Sequence, residues 1–281
     1  MNQHSVHFHG KPFTSFSAAL LACLIFTHYA SAADSEFPGR TTYPDVKVIE
    51  LDALKKILNT VTVVDVRSEY EFHTLRIKTA INIPVSDKNF VDNIYKLRTS
   101  TDKPIVFYCN GKTCMKSYKA AQKCAQADIK DVHAYDAGIM DWAKRYPKDS
   151  LLLGQPLNNP ELLISKTQFQ KHLLDPDQFV NKVASEKCIV LDVRDRFQRD
   201  ALALFPGREN RAYLDQAKKL DRYIRRAKRE RRTLLFYDAV GKQVRWLQYY
   251  LEYKRVANYF FMNGGARAFY ASMTDSFFKR K

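Results

Sequence analysis

Two short apolar runs with the same ending decide the fold of this chain: Val61-Thr-Val-Val-Asp-Val-Arg67 and Cys188-Ile-Val-Leu-Asp-Val-Arg194. Both are rich in β-branched residues, a composition typical of strands that are buried on both faces of a parallel sheet. Their shared Asp-Val-Arg endings lie 127 residues apart. The chain therefore contains the same structural unit twice, or a close variant of it.

Further pairs of segments follow in the same order. Pro104-Ile-Val-Phe-Tyr-Cys109 matches Thr233-Leu-Leu-Phe-Tyr-Asp238, and the ends of these segments are 129 residues apart. Ala137-Gly138 matches Gly264-Gly265, and Gly138 and Gly265 lie 127 residues apart. A nearly constant offset indicates a duplication. Each half alternates strand and helix over about 110 residues, which predicts a parallel sheet covered by helices on both faces.

Composition excludes several classes of protein. The 281 residues are 46% hydrophobic and 27% charged, with nine glycines and ten prolines, so the chain is neither collagen-like nor of low complexity. Its length suggests about two domains. Five cysteines are too few for a disulfide-dense small domain. The net charge of +16 bears on partners and solubility rather than on the fold.

The N-terminus has the pattern of a targeting segment. The apolar stretch from Phe16 to Phe26 has 11 residues, which suits a signal peptide and is short for a membrane span of about 20. Ala30-Ser-Ala32 follows it as a small-x-small cleavage site. We expect a signal peptide over residues 1–32, cleaved after Ala32, and a periplasmic mature protein. The alternative is an anchor that is retained.

The order of the motifs resembles that of the rhodanese-like sulfurtransferases in their tandem arrangement. The resembling residues of the first half are Asp65-Val-Arg67, Glu69–Phe72, Ile77–Pro84, Phe107–Cys109, Ser117–Ala121, Gly138 and Trp142. The resemblance implies an α/β fold with two rhodanese-like domains. Each would have a roughly five-stranded parallel sheet with helices on both faces, and a catalytic cysteine would directly follow the central strand.

The resemblance also divides the chain. It implies a catalytic domain at 44–147 with Cys109, a linker at 148–160, and a degenerate domain at 161–275, because Asp238 stands at the cysteine position. Two features depart from the family pattern. Thr79 replaces a glycine that is usual there, and the loop after Cys109 is about two residues longer than is common.

The implied activity is sulfur transfer. The Cys109 thiolate would take sulfane sulfur from thiosulfate or a persulfide donor and pass it to a thiophilic acceptor, a thiol or a cyanide-like nucleophile, without a cofactor. The residues expected to bind the anionic donor are Asn110, Gly111, Lys112, Thr113, Cys114, Met115 and Lys116. Backbone N–H groups at the start of a helix over about 115–126, together with the two lysines, predict a lowered pKa for Cys109. The alternative is a buried, inert cysteine.

Cys114 has two interpretations. It is either a resolving thiol that pairs with Cys109 or accepts its persulfide, or a small residue that packs at the helix start. The first interpretation supports an alternative function for the chain, a non-catalytic or thiol-redox binding module that uses a Cys109–Cys114 disulfide. Phosphatases of this fold need Cys-x5-Arg, and Met115 stands at the arginine position. Scattered histidines argue against a metal site.

The segment from Lys218 to Arg232 has nine cations and two acids. It is either a surface that docks an acidic protein or an anionic membrane, or simply a solvated helix face. Nucleic acid is not expected as a partner of an exported protein.

Overall fold

We describe a computed structural model of the chain, which covers residue 1 and residues 36–185, 187–195 and 202–278. The predicted signal peptide therefore lies outside the described residues, apart from Met1. Within the described ranges, no helix is long and apolar enough to cross a membrane.

The first half begins with a short helix and continues through alternating strands and helices. Its elements are α1 Pro38–Thr42, α2 Leu51–Lys56, β1 Thr62–Asp65, α3 Glu69–Thr74, β2 Leu75–Ile77, β3 Ile81–Asn82, α4 Phe90–Ser100, β4 Ile105–Tyr108, α5 Lys116–Gln126, β5 Val132–Tyr135 and α6 Gly138–Arg145. The order of the main sheet is β3-β1-β4-β5, and all its pairings are parallel. A parallel bridge between Val48 and Ala134 extends it beyond β5.

The second half has the same alternation. Its elements are β6 Ser150–Leu152, β7 Gln155–Pro156, α7 Lys166–Gln170, β8 Leu173–Leu174, α8 Pro176–Ser185, β9 Cys188–Asp192, β10 Glu209–Arg211, α9 Ala217–Glu230, β11 Thr233–Tyr237, α10 Val244–Tyr253, β12 Tyr259–Met262 and α11 Gly265–Phe278. Strands β10-β9-β11-β12-β8 form a five-stranded parallel sheet. The α/β class predicted from the sequence is confirmed.

Both faces of each sheet are covered. Successive residues of a strand point to opposite faces, and Val63 and Val64 lie in two different buried apolar clusters. Val190 and Leu191 are divided in the same way in the second half. This explains why the strands are continuous apolar runs rather than alternating ones.

The predicted linker contains structure of its own. β6 pairs antiparallel with β2 and with β7, so residues 150–156 complete a small three-stranded sheet against the first half. The two halves also share apolar packing, because Trp246 and Tyr249 of α10 belong to the same buried cluster as Val63 and Trp142.

Candidate active site

Cys109 directly follows β4, which lies between β1 and β5 in the first sheet. The residue is fully buried, and its carbonyl accepts a hydrogen bond of 2.9 Å from the Ile139 N–H at the start of α6. The carboxyl ends of parallel strands are where loops build binding sites in open α/β sheets. The fold therefore places Cys109 at the edge where chemistry is expected.

A tight turn folds the loop after Cys109 back on itself. The Cys114 N–H donates to the Gly111 carbonyl at 2.8 Å. Gly138 lies against this turn with a φ of +72°, and a Cβ there would overlap the Gly111 backbone. Glycine is thus required at 138 both by its conformation and by the close approach of the loop.

The Cys109 thiol lies under this loop. Its Sγ is 3.3 Å from the Cys114 carbonyl oxygen and 3.9 Å from the Ser117 hydroxyl. Burial raises the pKa of Cys109 well above its usual range, although the backbone N–H groups of Gly111 and Ser117 favour the thiolate. The prediction of a lowered pKa for Cys109 is wrong in this structure, because desolvation outweighs the N–H groups around its sulfur.

Cys114 is the more acidic thiol of the pair. A hydrogen bond from the Cys109 thiol lowers the pKa of Cys114 to about 6, with further help from the N–H groups of Lys116 and Asn110 and the charge of Lys116. Cys114 is half-buried, just before α5, where partial positive charge collects. A position at a helix start is the sequence signal for a cysteine of lowered pKa, and the sequence analysis applies that signal to Cys109 rather than to Cys114.

The two loop lysines are paired with carboxylates. The Lys112 ammonium contacts Glu36 and lies 3.4 Å from Asp141. The Lys116 ammonium lies 3.7 Å from the Glu71 carboxylate. Both cations border the loop as predicted, but their charges are already partly balanced. Asn110, Gly111, Thr113 and Met115, also predicted as donor-binding residues, lie in the same loop between Cys109 and α5.

Glu71 connects the loop to α3. It is buried, and Asn110 donates to it at 2.8 Å. Although burial opposes ionisation, Lys116 and Arg67 lower the pKa of Glu71. Glu71 also forms a capping box with Ser68 at the start of α3. One carboxylate thus holds the helix start and the loop together, a role that the sequence analysis did not identify.

Arg67 supports the same loop from within the core. It forms a fully buried ion pair of 2.6 Å with Asp65, and its guanidinium donates to the Leu75 carbonyl at 2.5 Å and to the Asn110 side chain at 3.2 Å. The ring of Trp246 lies 5.0 Å from the Arg67 guanidinium carbon. Arg67 therefore contacts the loop after Cys109, the core of the first half and α10 of the second half.

The second half repeats these contacts around Asp238. The Asp192–Arg194 pair is buried at 2.7 Å, and Arg194 donates to the Leu202 carbonyl. Gly265, with a φ of +62°, lies against the Asp238 loop as Gly138 lies against the Cys109 loop.

The Asp238 carboxylate is buried among backbone donors. It accepts hydrogen bonds from four N–H groups, those of Val240 (3.0 Å), Gly241, Gln243 (2.6 Å) and Val244 (3.2 Å). The carboxylate thus occupies the place of a bound anion within its own loop. In the described part of the chain it forms no ion pair with Lys242 or Arg245, the two cations of the same loop.

Metal binding finds no support among the residues that the structure describes, where His, Cys, Asp and Glu side chains form no group of three that could hold an ion.

Comparisons with known proteins concern mainly the first half. Residues 50–145 match the family model of the Rhodanese-like domain, so this part of the chain is a rhodanese-like domain. A curated relative, an HTH-type transcriptional regulator of Mycobacterium tuberculosis, is 34% identical over 82 residues, 29% of this chain. The chain spans about a third of the length of that relative (34%).

Two solved structures are similar in part. The BH2092 protein from Bacillus halodurans is 24% identical, with a TM-score of 0.35, over 47% of this chain and 94% of that chain. A thiosulfate sulfurtransferase from Pseudomonas aeruginosa is 18% identical, with a TM-score of 0.39, over 81% of this chain and 42% of that chain.

Proposed function

We propose that this protein is a sulfurtransferase that moves sulfane sulfur from thiosulfate or a persulfide donor to a thiophilic acceptor through a Cys109 persulfide. One observation carries the proposal: in a rhodanese-like domain, the cysteine after the central strand lies under a loop and a helix start whose Gly111 and Ser117 N–H groups favour a negative charge on its sulfur. The second-half loop supports it, since the equivalent turn holds a carboxylate with four N–H groups.

The first step is an attack by the Cys109 thiolate on the outer sulfur of thiosulfate, and sulfite leaves. The Cys109 thiolate forms by proton transfer within the cysteine pair. After one of the two thiols has ionised, the two sulfurs share the remaining proton, and Cys109 can attack when that proton is on the Cys114 sulfur. The N–H groups around Cys109 then stabilise the persulfide anion, and a nucleophilic acceptor removes its outer sulfur.

The test is the intact mass of the reduced protein before and after incubation with thiosulfate. Wild-type protein is expected to gain one sulfur atom early in the reaction and to release one sulfite, and Cys109→Ser to do neither, because a hydroxyl cannot carry sulfane sulfur. Cys188→Ser, at the start of β9 in the second sheet, is the matched control and should gain sulfur normally. A Cys109→Ser protein that still gains sulfur would contradict the site assignment.

A second candidate is a thiol-redox module without sulfur transfer, favoured by the closeness of the two cysteines, since the Cys109 Sγ lies 3.3 Å from the Cys114 carbonyl oxygen. It predicts a Cys109–Cys114 disulfide after mild oxidation and, with thiosulfate, neither an early mass gain nor sulfite. Sulfite release together with the early mass gain therefore separates the two functions.

We also propose that the second half is a degenerate rhodanese-like domain and that the protein is exported with cleavage after Ala32. The repeated contacts around Asp192, Arg194 and Asp238 support the first point. The mature N-terminus of protein from a periplasmic fraction tests the second, and an intact N-terminal segment would contradict it.

A further inference from the structure

We propose that Cys114 resolves the Cys109 persulfide when no external acceptor is present. Its thiolate attacks the inner sulfur of the Cys109 persulfide, forms a Cys109–Cys114 disulfide and expels the sulfane sulfur as hydrosulfide. This inference rests on the proposed function, and it assigns the product and the co-reactant of the same site.

The two cysteines are already neighbours. The Cys109 thiol donates to the Cys114 carbonyl, with its Sγ 3.3 Å from the carbonyl oxygen. The bond between the Cys114 N–H and the Gly111 carbonyl closes the loop and holds Cys114 over Cys109. Attack on the inner sulfur therefore needs a local adjustment of one turn rather than an approach from solvent.

The two thiols differ in exposure, and this difference favours attack on the Cys109 persulfide by Cys114 over attack by an external thiol. Cys109 is fully buried, whereas Cys114 is half-buried beside α5. A large acceptor such as a protein thiol has no direct contact with the Cys109 sulfur in this conformation. Cys114 reaches that sulfur from inside, and hydrosulfide is small enough to leave.

The leaving group decides which sulfur is attacked. Attack on the outer sulfur would expel the Cys109 thiolate, which burial makes a poor leaving group. Attack on the inner sulfur expels hydrosulfide, a weaker base, and a leaving group of lower pKa leaves faster. On the attacking side, the N–H groups of Lys116 and Asn110 and the charge of Lys116 lower the pKa of Cys114 and favour its thiolate.

The step is balanced. A sulfur–sulfur bond forms between Cys109 and Cys114, and the bond to the sulfane sulfur breaks. The two protein sulfurs are oxidised to a disulfide while the sulfane sulfur is reduced to hydrosulfide, which takes the proton of the persulfide, or one from water if the persulfide is ionised. A dithiol reductant must then reduce the disulfide, and it can enter at the half-buried Cys114 side.

A single-turnover experiment tests the inference. The full chain is reduced, freed of reductant and mixed with one equivalent of thiosulfate, and hydrosulfide, free thiols and intact mass are followed. Wild type is expected to release about one hydrosulfide per protein, lose two thiols and become two hydrogens lighter, with the Cys109–Cys114 disulfide found by peptide mapping. Cys114→Ser should stop one sulfur atom heavier and release no hydrosulfide, while Cys188→Ser should behave as wild type.

The outcomes separate this inference from the proposed function. Wild-type protein that stays one sulfur atom heavier, or that carries the sulfur on Cys114, overturns the disulfide step and leaves the Cys109 persulfide standing. Wild-type protein that gains no sulfur and releases no hydrosulfide overturns both. Because the wild-type disulfide is mapped directly, the test does not depend on the folding of the serine variants.

Discussion

Asp238→Ala tests whether the carboxylate holds the second-half loop together. The substitution leaves four backbone N–H groups without their acceptor, and one of them belongs to the fully buried Val244. An unsatisfied buried donor costs about 1–3 kcal/mol, and each lost bond to a charged group removes a net contribution of similar size. Water can replace the acceptor at the three half-buried donors, so we expect a loss of about 2–4 kcal/mol.

The assay is urea unfolding followed by circular dichroism, with the midpoint and slope of the transition compared between variants. Asp238→Asn keeps one acceptor oxygen and turns an amide group toward two of the donors, so it should fall between wild type and Asp238→Ala. Asp102→Ala, at an exposed loop position, is the matched control and should change stability by less than about 0.5 kcal/mol.

Function is measured on the same samples. The Cys109 persulfide should still form in Asp238→Ala at a temperature where the variant remains folded. Unchanged stability would refute the role of the carboxylate as an internal anion. Unchanged stability combined with lost sulfur transfer would show that Asp238 takes part in the reaction and that the second half is not silent.

Three further predictions concern thiols, the core and the surface. Carboxamidomethylation of Cys114 should accelerate as the pH rises through about 6, where its thiolate forms, while Cys109 stays slow; equal rates mapped by peptide mass would contradict the assignment. Arg67→Met should cost about 3–5 kcal/mol in urea unfolding, because it leaves the buried carboxylate of its partner unpaired; a change under about 1 kcal/mol would show that the pair is dispensable. The exposed face of α9 should bind vesicles rich in phosphatidylglycerol and not phosphatidylcholine vesicles, since its cations are each worth about 1 kcal/mol near such a surface. Arg222→Glu with Arg225→Glu should abolish that binding, and binding that survives both the reversals and high salt would exclude this surface.

The sequence alone was enough to predict the repeat and the class of fold. Apolar runs rich in β-branched residues are local signals, and the constant offset between Asp65 and Asp192 placed both strands in equivalent positions. The same local logic placed Cys109 and Asp238 at the ends of equivalent strands, and both strand ends are followed by a loop that leads into a helix. These features depend on residues that are close together in the sequence, so the sequence alone is enough to predict them.

The tertiary structure decided how the candidate site is charged. Desolvation of Cys109 depends on how far the loop folds over it, and the pairing of Lys112 and Lys116 depends on Glu36 and Glu71 from elsewhere in the chain. These effects arise from long-range contacts, which a motif does not encode. The pattern therefore identified the two cysteines, but only the folded chain determined that burial raises the pKa of Cys109 and that the neighbouring Cys109 thiol, with N–H groups at the helix start, lowers the pKa of Cys114.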